Sequence, residues 1–176
     1  MAETVRVLVE EEEVDKRIRD LGEQISKDYE GKEVHLICVL KGGVFFMCEL
    51  AKRITVPVSM DFMSVSSYGD DTKSSGVVRI AKDLDEPLEG KDVLIIDDMI
   101  SSGESMIDTA RELKKRKANR VFVAATFGLF TNGLKQFDEY YEQGLNIPDE
   151  FVVGYGLDYA QKYRNLPFIG VVEGVE

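Results

Sequence analysis

Val93-Leu94-Ile95-Ile96-Asp97-Asp98-Met99-Ile100-Ser101-Ser102-Gly103-Glu104-Ser105-Met106 is the stretch that decides how this chain reads. Four apolar residues run into two adjacent aspartates, a Ser/Gly turn follows, and a helical pattern begins. The apolar run predicts a strand buried on both faces, as in a parallel sheet. The carboxylates then stand at its C-terminal end, where open α/β sheets bind ligands. Ser101, Ser102 and Gly103, leading into Glu104 and Ser105, offer free backbone N–H groups at a helix N-terminus, and a phosphate fits there. Asp97 and Asp98 beside such a cradle suit a sugar phosphate. They can accept hydrogen bonds from ribose hydroxyls or hold a hydrated magnesium ion. The same residues also read as a buried strand, a polar turn and a capped helix without any ligand. Spacing alone leaves both readings open.

Outward from this segment, strand and helix patterns alternate. Thr4 to Val9 alternates as a short strand, and the acidic run Glu10 to Glu13 opens a helix. Val14, Ile18, Leu21 and Ile25 carry that helix to about Tyr29, and Gly31 stops it. Val34 to Leu40 reads as a buried strand, Lys41-Gly42-Gly43 as a tight turn, and Val44 to Ile54 as a helix. Val58 to Val65 is strand-like. Ser66 to Gly76 is a Ser/Gly/Asp-rich loop, with a return strand from Val77 to Ala81. Pro87 to Gly90 is a turn before the Val93 strand. Glu104 to Lys117 reads as helix, Arg120 to Thr126 as strand and Gly133 to Gly144 as helix. Phe151 to Val153 and Phe168 to Val172 are short late strands. This order predicts an α/β fold with a mostly parallel, twisted sheet covered by helices on both faces.

Composition narrows the function classes. The 176 residues are enough for one α/β domain with a sizeable core. A formal net charge of −11 argues against nucleic acid as a partner. The one basic run, Lys114-Lys115-Arg116-Lys117, falls in the last helical turn, where cations complement the helix dipole. Cys38 and Cys48 are too few for a disulfide framework. His35 is the only histidine, which disfavours a catalytic triad, and it reads as a strand residue. No apolar run is long enough to span a membrane and no signal peptide is evident, so a cytoplasmic location is the default expectation.

Lys41-Gly42-Gly43 also follows a buried strand and opens a helix. Two such turns at strand C-termini would converge on one site, one for a monophosphate and the other for a pyrophosphate. These residues together resemble the type I phosphoribosyltransferases, in particular their purine-salvage branch. Leu40-Lys41-Gly42-Gly43 looks like the pyrophosphate loop of that family, often with a cis peptide at its leucine–lysine bond. Ser67-Tyr68-Gly69 looks like its flexible catalytic loop, whose Ser-Tyr pair closes over substrate. Ile147-Pro148-Asp149-Glu150-Phe151-Val152-Val153-Gly154-Tyr155-Gly156-Leu157-Asp158-Tyr159 closely matches its purine-binding segment. Read alone, Phe151 and Val152 could be ordinary core, Asp158 a turn acid and Arg164 a surface charge.

The resemblance covers nearly the whole chain. It implies one phosphoribosyltransferase domain over 1–176, with a small hood formed by the terminal segments. It also implies a purine-salvage enzyme that moves the 5-phosphoribosyl group from phosphoribosyl pyrophosphate to hypoxanthine or guanine. Phe151 would stack on the base, the Val152 backbone would read its edge, and Arg164 would contact pyrophosphate. Asp97, Asp98 and Asp158 would hold Mg2+. A homodimer or homotetramer built partly through the Lys41 turn and its helix is expected.

Two departures stand out. The family has an aspartate where Ser101 stands, placed for the purine N7 proton, and serine without a neighbouring histidine is a poor base. It also has a lysine near Leu129 that recognises the exocyclic oxygen, and an apolar residue cannot supply that hydrogen bond. Impaired turnover is the expectation, and a phosphoribosyl-binding scaffold with little catalysis is the alternative. The quoted Asp97–Met106 run and Ala124-Ala125-Thr126-Phe127-Gly128-Leu129-Phe130-Thr131-Asn132-Gly133-Leu134 resemble ribose-phosphate pyrophosphokinase instead. The chain thus reads as a mosaic over about 93–144, either a chimera or a natural divergent homologue.

Overall fold

Every residue of β2 (Val34–Val39) is buried, as a central parallel strand requires. The computed structural model describes residues 3–67, 78–100, 104–128, 145–146 and 150–174. In chain order β1 (Thr4–Val9) and α1 (Glu11–Asp28) precede β2. Then come α2 (Val44–Ala51), β3 (Val58–Ser67), β4 (Val78–Lys82), β5 (Asp92–Ile100), α3 (Glu104–Lys115), β6 (Arg120–Gly128), β7 (Leu145–Asn146), β8 (Val152–Val153) and β9 (Ile169–Glu173). The main sheet has the order β4-β3-β2-β5-β6-β7. All its pairings are parallel except the β3–β4 hairpin.

Alternate residues of the strands feed two cores. Leu36, Cys38, Leu94 and Ile96 pack with Val14, Ile18, Leu21 and Ile25 of α1 and with Phe46, Met47 and Leu50 around α2. Ile37, Val39, Val93, Ile95, Val121 and Val123 pack on the other face with Met106, Ala110 and Leu113 of α3. The sheet is therefore covered on both sides, as the sequence pattern predicted. A second, antiparallel sheet of order β1-β9-β8 joins the two ends of the chain, and this is the hood.

The crevice that matters follows from connectivity. From β2 the chain crosses through α2 to β3 on one side, and from β5 through α3 to β6 on the other. The order reverses between β2 and β5, and such a switch point opens a crevice at the strand C-termini. β2 pairs with β5 only as far as Cys38↔Ile96, whereas β5 continues beside β6 to Ile100↔Gly128. Asp97 and Asp98 are thus the first residues of β5 past its last pair with β2.

Several boundaries differ from the sequence expectation. Helix α2 ends at Ala51 rather than Ile54: Arg53 N–H bonds to the Leu50 carbonyl at 2.9 Å, a tightened last turn, and Pro57 disfavours helix just upstream of it. Helix α3 ends at Lys115 rather than Lys117, because Arg116 and Lys117 make the same short-range bonds and Lys117 turns left-handed at φ 64°. Strand β3 takes in Ser66 and Ser67, which the sequence pattern put in the loop. Strand β8 begins at Val152, leaving Phe151 just outside it. The expected loop residues 68–76 and helix 133–144 lie outside the described residues. Among the described residues, no helix is long and apolar enough to cross a membrane.

Candidate active site

Between β2 and α2 the chain turns through Leu40-Lys41-Gly42-Gly43, and the Leu40–Lys41 peptide is cis. The turn is pinned from both sides. Leu40 N–H donates to Met63 O on β3 at 2.9 Å, and Met47 N–H of α2 donates to Gly43 O at 2.9 Å. Its glycines are a packing requirement. A Cβ on Gly42 would overlap the Asp98 carboxylate, and one on Gly43 would come within 3.0 Å of the Ile96 carbonyl oxygen and 3.1 Å of that of Val39. The pyrophosphate-loop candidate and the acidic pair are therefore in direct contact.

The hood closes onto the same turn. Gly156 sits at φ +100°, a region that disfavours L side chains, and a Cβ there would overlap the Gly42 carbonyl oxygen. Gly156 O also accepts a 2.6 Å hydrogen bond from Arg164 Nη1. The other arm of that guanidinium, Nη2, lies 2.7 Å from Asp158 Oδ1. Asp158 Oδ2 accepts the Gln161 N–H at 2.7 Å, which fixes the carboxylate at the start of a tight turn. Asp158 and Arg164 are about three-quarters buried, so their pairing is better shielded from solvent than most in this chain.

Next along the hood, Tyr159 meets Phe151 edge-on, with ring centroids 5.6 Å apart and planes at 86°. Phe151 is 60% exposed, unusual for a phenylalanine, and leaves a ring face open for stacking. Val152 is buried and pairs with Val171 in the hood sheet. Just before Phe151, Glu150 is bound to Arg6 of β1 at 2.9 Å, while the Arg6 Nε holds Glu173 of β9 at 2.8 Å. One arginine of β1 thus ties the aromatic platform to the central hood strand β9.

Electrostatics separate the acids. Burial pushes the Asp97 carboxyl well above the ordinary carboxylate range, and the neighbouring negative charge of Asp98 adds to the effect. Asp97 Oδ1 accepts the Asp98 N–H at 2.9 Å, which works in the opposite direction. Cys38 beneath them is not a nucleophile: burial, with some help from Asp97, pushes its thiol up to about 12.

A continuous chain of contacts therefore joins Lys41–Gly43, Asp98, Gly156, Arg164, Asp158 and, through Tyr159, Phe151. The sequence motifs include all of these segments. They do not reveal that Gly156 is the contact between hood and sheet, that Tyr159 props Phe151, or that Arg6 clamps the platform. The glycine pair around Tyr155 was a visible signal for the first. Ser67 ends β3, and Glu104 and Ser105 begin α3. Tyr68, Ser101, Ser102, Gly103 and Leu129 lie outside the described residues. Among the described residues, no cluster of three or more His, Cys, Asp or Glu could cage a metal ion.

The cleft, with a glycine turn packed against an acidic strand end at a switch point and the hood closing on both, fits an enzyme of phosphoribosyl transfer. The chain is a member of the phosphoribosyltransferase family: the profile described as "Phosphoribosyl transferase domain" matches residues 8–160. Among its relatives is the hypoxanthine-guanine phosphoribosyltransferase of Streptococcus thermophilus, 44% identical over 168 residues, covering 96% of this chain and 93% of that protein. A solved hypoxanthine phosphoribosyltransferase from Staphylococcus aureus superposes with a TM-score of 0.86 at 43% identity, covering 96% and 91% of the two chains. A Bacillus anthracis hypoxanthine-guanine phosphoribosyltransferase, solved with HEPES in its active site, gives 0.86 at 35% identity over 96% and 99%.

Proposed function

We propose that this protein transfers the 5-phosphoribosyl group from phosphoribosyl pyrophosphate to N9 of hypoxanthine or guanine. The C1–O bond to pyrophosphate breaks, the C1–N9 bond forms, pyrophosphate leaves and the purine loses one proton. The carrying observation is the packed junction of Gly42, Asp98 and Gly156 at the β2/β5 crevice. The kinship with hypoxanthine-guanine phosphoribosyltransferases supports it.

In this reading Asp97 and Asp98 accept hydrogen bonds from the ribose hydroxyls, and Ser101 to Ser105 cradle the 5′-phosphate at the N-terminus of α3. Lys41-Gly42-Gly43 and Arg164 stabilise the departing pyrophosphate, whose charge grows as the bond breaks. Phe151 stacks on the base and the Val152 backbone reads its edge. Ser67 and Tyr68 close the site against water, which competes for the same carbon. The acids suit Mg2+ that arrives with substrate, because such an ion keeps several waters and takes one or two carboxylates alongside phosphate oxygens. Asp97, Asp98 and Asp158 would hold it, and it would supply charge neutralisation of the leaving group.

Ser101 and Leu129 favour reduced turnover, because a missing acid/base group costs roughly 10²–10⁴-fold. They also support the second reading, a phosphoribosyl- or nucleotide-binding scaffold with little catalysis. The pyrophosphokinase-like segment over 93–144, with its chimeric or divergent origin, rests on those same residues and the ones quoted around them. Self-association as a homodimer or homotetramer is part of the proposal, supported by Phe45, 41% exposed on α2 next to the Lys41 turn.

The test is a spectrophotometric assay of nucleotide formation from phosphoribosyl pyrophosphate with each purine, with and without magnesium. Magnesium-dependent product is expected. A folded chain that makes none would leave the scaffold reading in its place.

A further inference from the structure

Among the described residues five non-glycine residues have positive φ, and four of them lie between 155 and 163 in the hood. Ala160 (φ 50°) and Gln161 (φ 67°) are the two tip residues of a tight turn closed by the Tyr159–Lys162 bridge, and one class of hairpin turn needs positive φ at both tips. Tyr163 (φ 73°) is tied to Glu3, whose carboxylate accepts its hydroxyl at 2.8 Å. Tyr155 (φ 51°) is different. It is a bulky aromatic, only 8% exposed, in a conformation that such residues seldom adopt. Strain of this kind persists only where the surroundings hold it, and it gathers at functional sites.

The surroundings of Tyr155 hold it through both backbone and side chain. Its backbone belongs to a turn in which Gly154 and Leu157 exchange two N–H···O bonds, at 3.1 and 3.0 Å. The returning segment clamps that turn: Tyr155 N–H donates to Leu166 O and Gly156 N–H to Arg164 O, each at 2.9 Å. Its side chain belongs to the core that α1 and α2 share with the sheet. Burial, and after it the negative charges of Glu49 on α2 and Asp15 on α1, push the phenol above its usual range, with Arg53 opposing them. The ring is therefore within electrostatic reach of both helices.

One residue later the hood meets the sheet. A Cβ on Gly156 would overlap the Gly42 carbonyl oxygen, and one on Gly42 would overlap the Asp98 carboxylate. A side chain as buried as that of Tyr155 offers almost no surface to a substrate, so its influence on the crevice passes through Gly156. Phe151 is held separately, by the Arg6 clamp and by the β8–β9 pairing that follows it.

Resting on the phosphoribosyl-transfer reading, we propose that Tyr155 is a positioning residue for the pyrophosphate turn. Its ring, seated in the α1/α2 core, sets how closely Gly156 presses on Gly42, and thereby where Lys41, Gly42 and Asp98 stand toward the leaving group. The left-handed backbone lets one residue send its ring into the core while the next lays a bare glycine on the turn. An ordinary core tyrosine would instead affect stability alone.

Calorimetric titration of the full chain separates the two roles, with magnesium pyrophosphate probing the turn and guanosine monophosphate probing the base and 5′-phosphate side. Tyr155→Phe keeps the ring and should bind both probes as the wild type does. Tyr155→Leu keeps an apolar side chain but loses the ring. It should bind pyrophosphate about tenfold more weakly, while its affinity for the nucleotide changes less than about twofold. Circular dichroism and thermal melts confirm that each chain is folded. Tyr155→Met, whose flexible side chain fills gaps, gives the same readout if the leucine variant does not fold. A folded variant without the ring that binds pyrophosphate as tightly as wild type overturns the proposal. So does one that loses both probes alike, which would mean a hood loosened as a whole, and so does failure of both variants to fold, which would make Tyr155 a folding residue. A wild-type chain that binds neither probe refutes the phosphoribosyl-transfer reading itself and the role of Tyr155 with it.

Discussion

β2 and β5 lie side by side, yet their two ends do opposite things. At the C-terminal end, polar groups are brought together at a glycine junction: Asp98 rests against Gly42, and Gly42 against Gly156. Below that end, polar groups mostly neutralise one another. Asp61, 3% exposed and level with Ile37 in mid-sheet, accepts N–H bonds from Phe62, Asp85 and Glu86, and at the strand starts ion pairs tie Lys91 and Arg116 to neighbouring turns. The lesson is a division of labour along single strands. One end is built with glycines and the desolvated Asp97, as the proposed chemistry needs, and the rest with satisfied acids.

Mutations should separate the two ends. The largest effect is expected from restoring what the purine-salvage pattern lacks: Ser101→Asp with Leu129→Lys should raise purine nucleotide formation by about 10²–10⁴-fold, the usual worth of a placed acid/base group. Steady-state kinetics read this, and an unchanged rate would mean that the geometry around 101 differs from that of the purine enzymes. Next, Gly42→Ala should lower kcat/KM by about 10²-fold, since its Cβ displaces the Asp98 carboxylate and small misplacements cost that much. The thermal midpoint should move little, and a variant that melts early would make Gly42 a folding residue instead.

At the other end the readouts exchange. Asp61→Ala should cost about 2–3 kcal/mol in urea unfolding, because three backbone donors lose a charged acceptor, while activity per folded molecule stays near wild type. The smallest effect concerns pH. Burial, helped by the Lys91 charge, holds the His35 pKa below its ordinary 6.5. In the window between that lowered value and 6.5 the unfolded chain binds more protons than the folded one. Stability from this group is therefore full above 6.5 and is lost as pH falls through the window. Thermal melts from neutral to mildly acid pH should show this slope, and His35→Gln should flatten it. An identical slope in the variant would assign it to other groups.

Much of this architecture was legible because strands and turns carry their own signals. The Val93–Ile96 run, the Lys41–Gly43 turn and the helical spacing of Val14, Ile18, Leu21 and Ile25 gave the sheet, the crevice and α1 directly. Local bonding at chain turns was not legible: the short bonds that end α2 at Ala51 and α3 at Lys115 depend on backbone geometry that no residue pattern announces. Within the site, Asp97, Asp98 and Lys41 could be named from sequence, since a strand that ends in acids is a local feature. The Gly156–Gly42 contact, the Arg164–Asp158 pair and the Arg6 clamp depend on how the hood docks, and residues 144 positions apart, such as Arg6 and Glu150, leave no periodic trace.

The central claim is that phosphoribosyl pyrophosphate binds at the β2/β5 crevice. Calorimetric titration of that compound with magnesium into the wild-type chain, Asp98→Asn and Gly42→Ala tests it without requiring turnover. The account predicts saturable binding to wild type and a loss of about tenfold or more in each variant, the scale of one charged contact removed. Binding of equal strength to all three chains would place the ligand elsewhere and contradict the account.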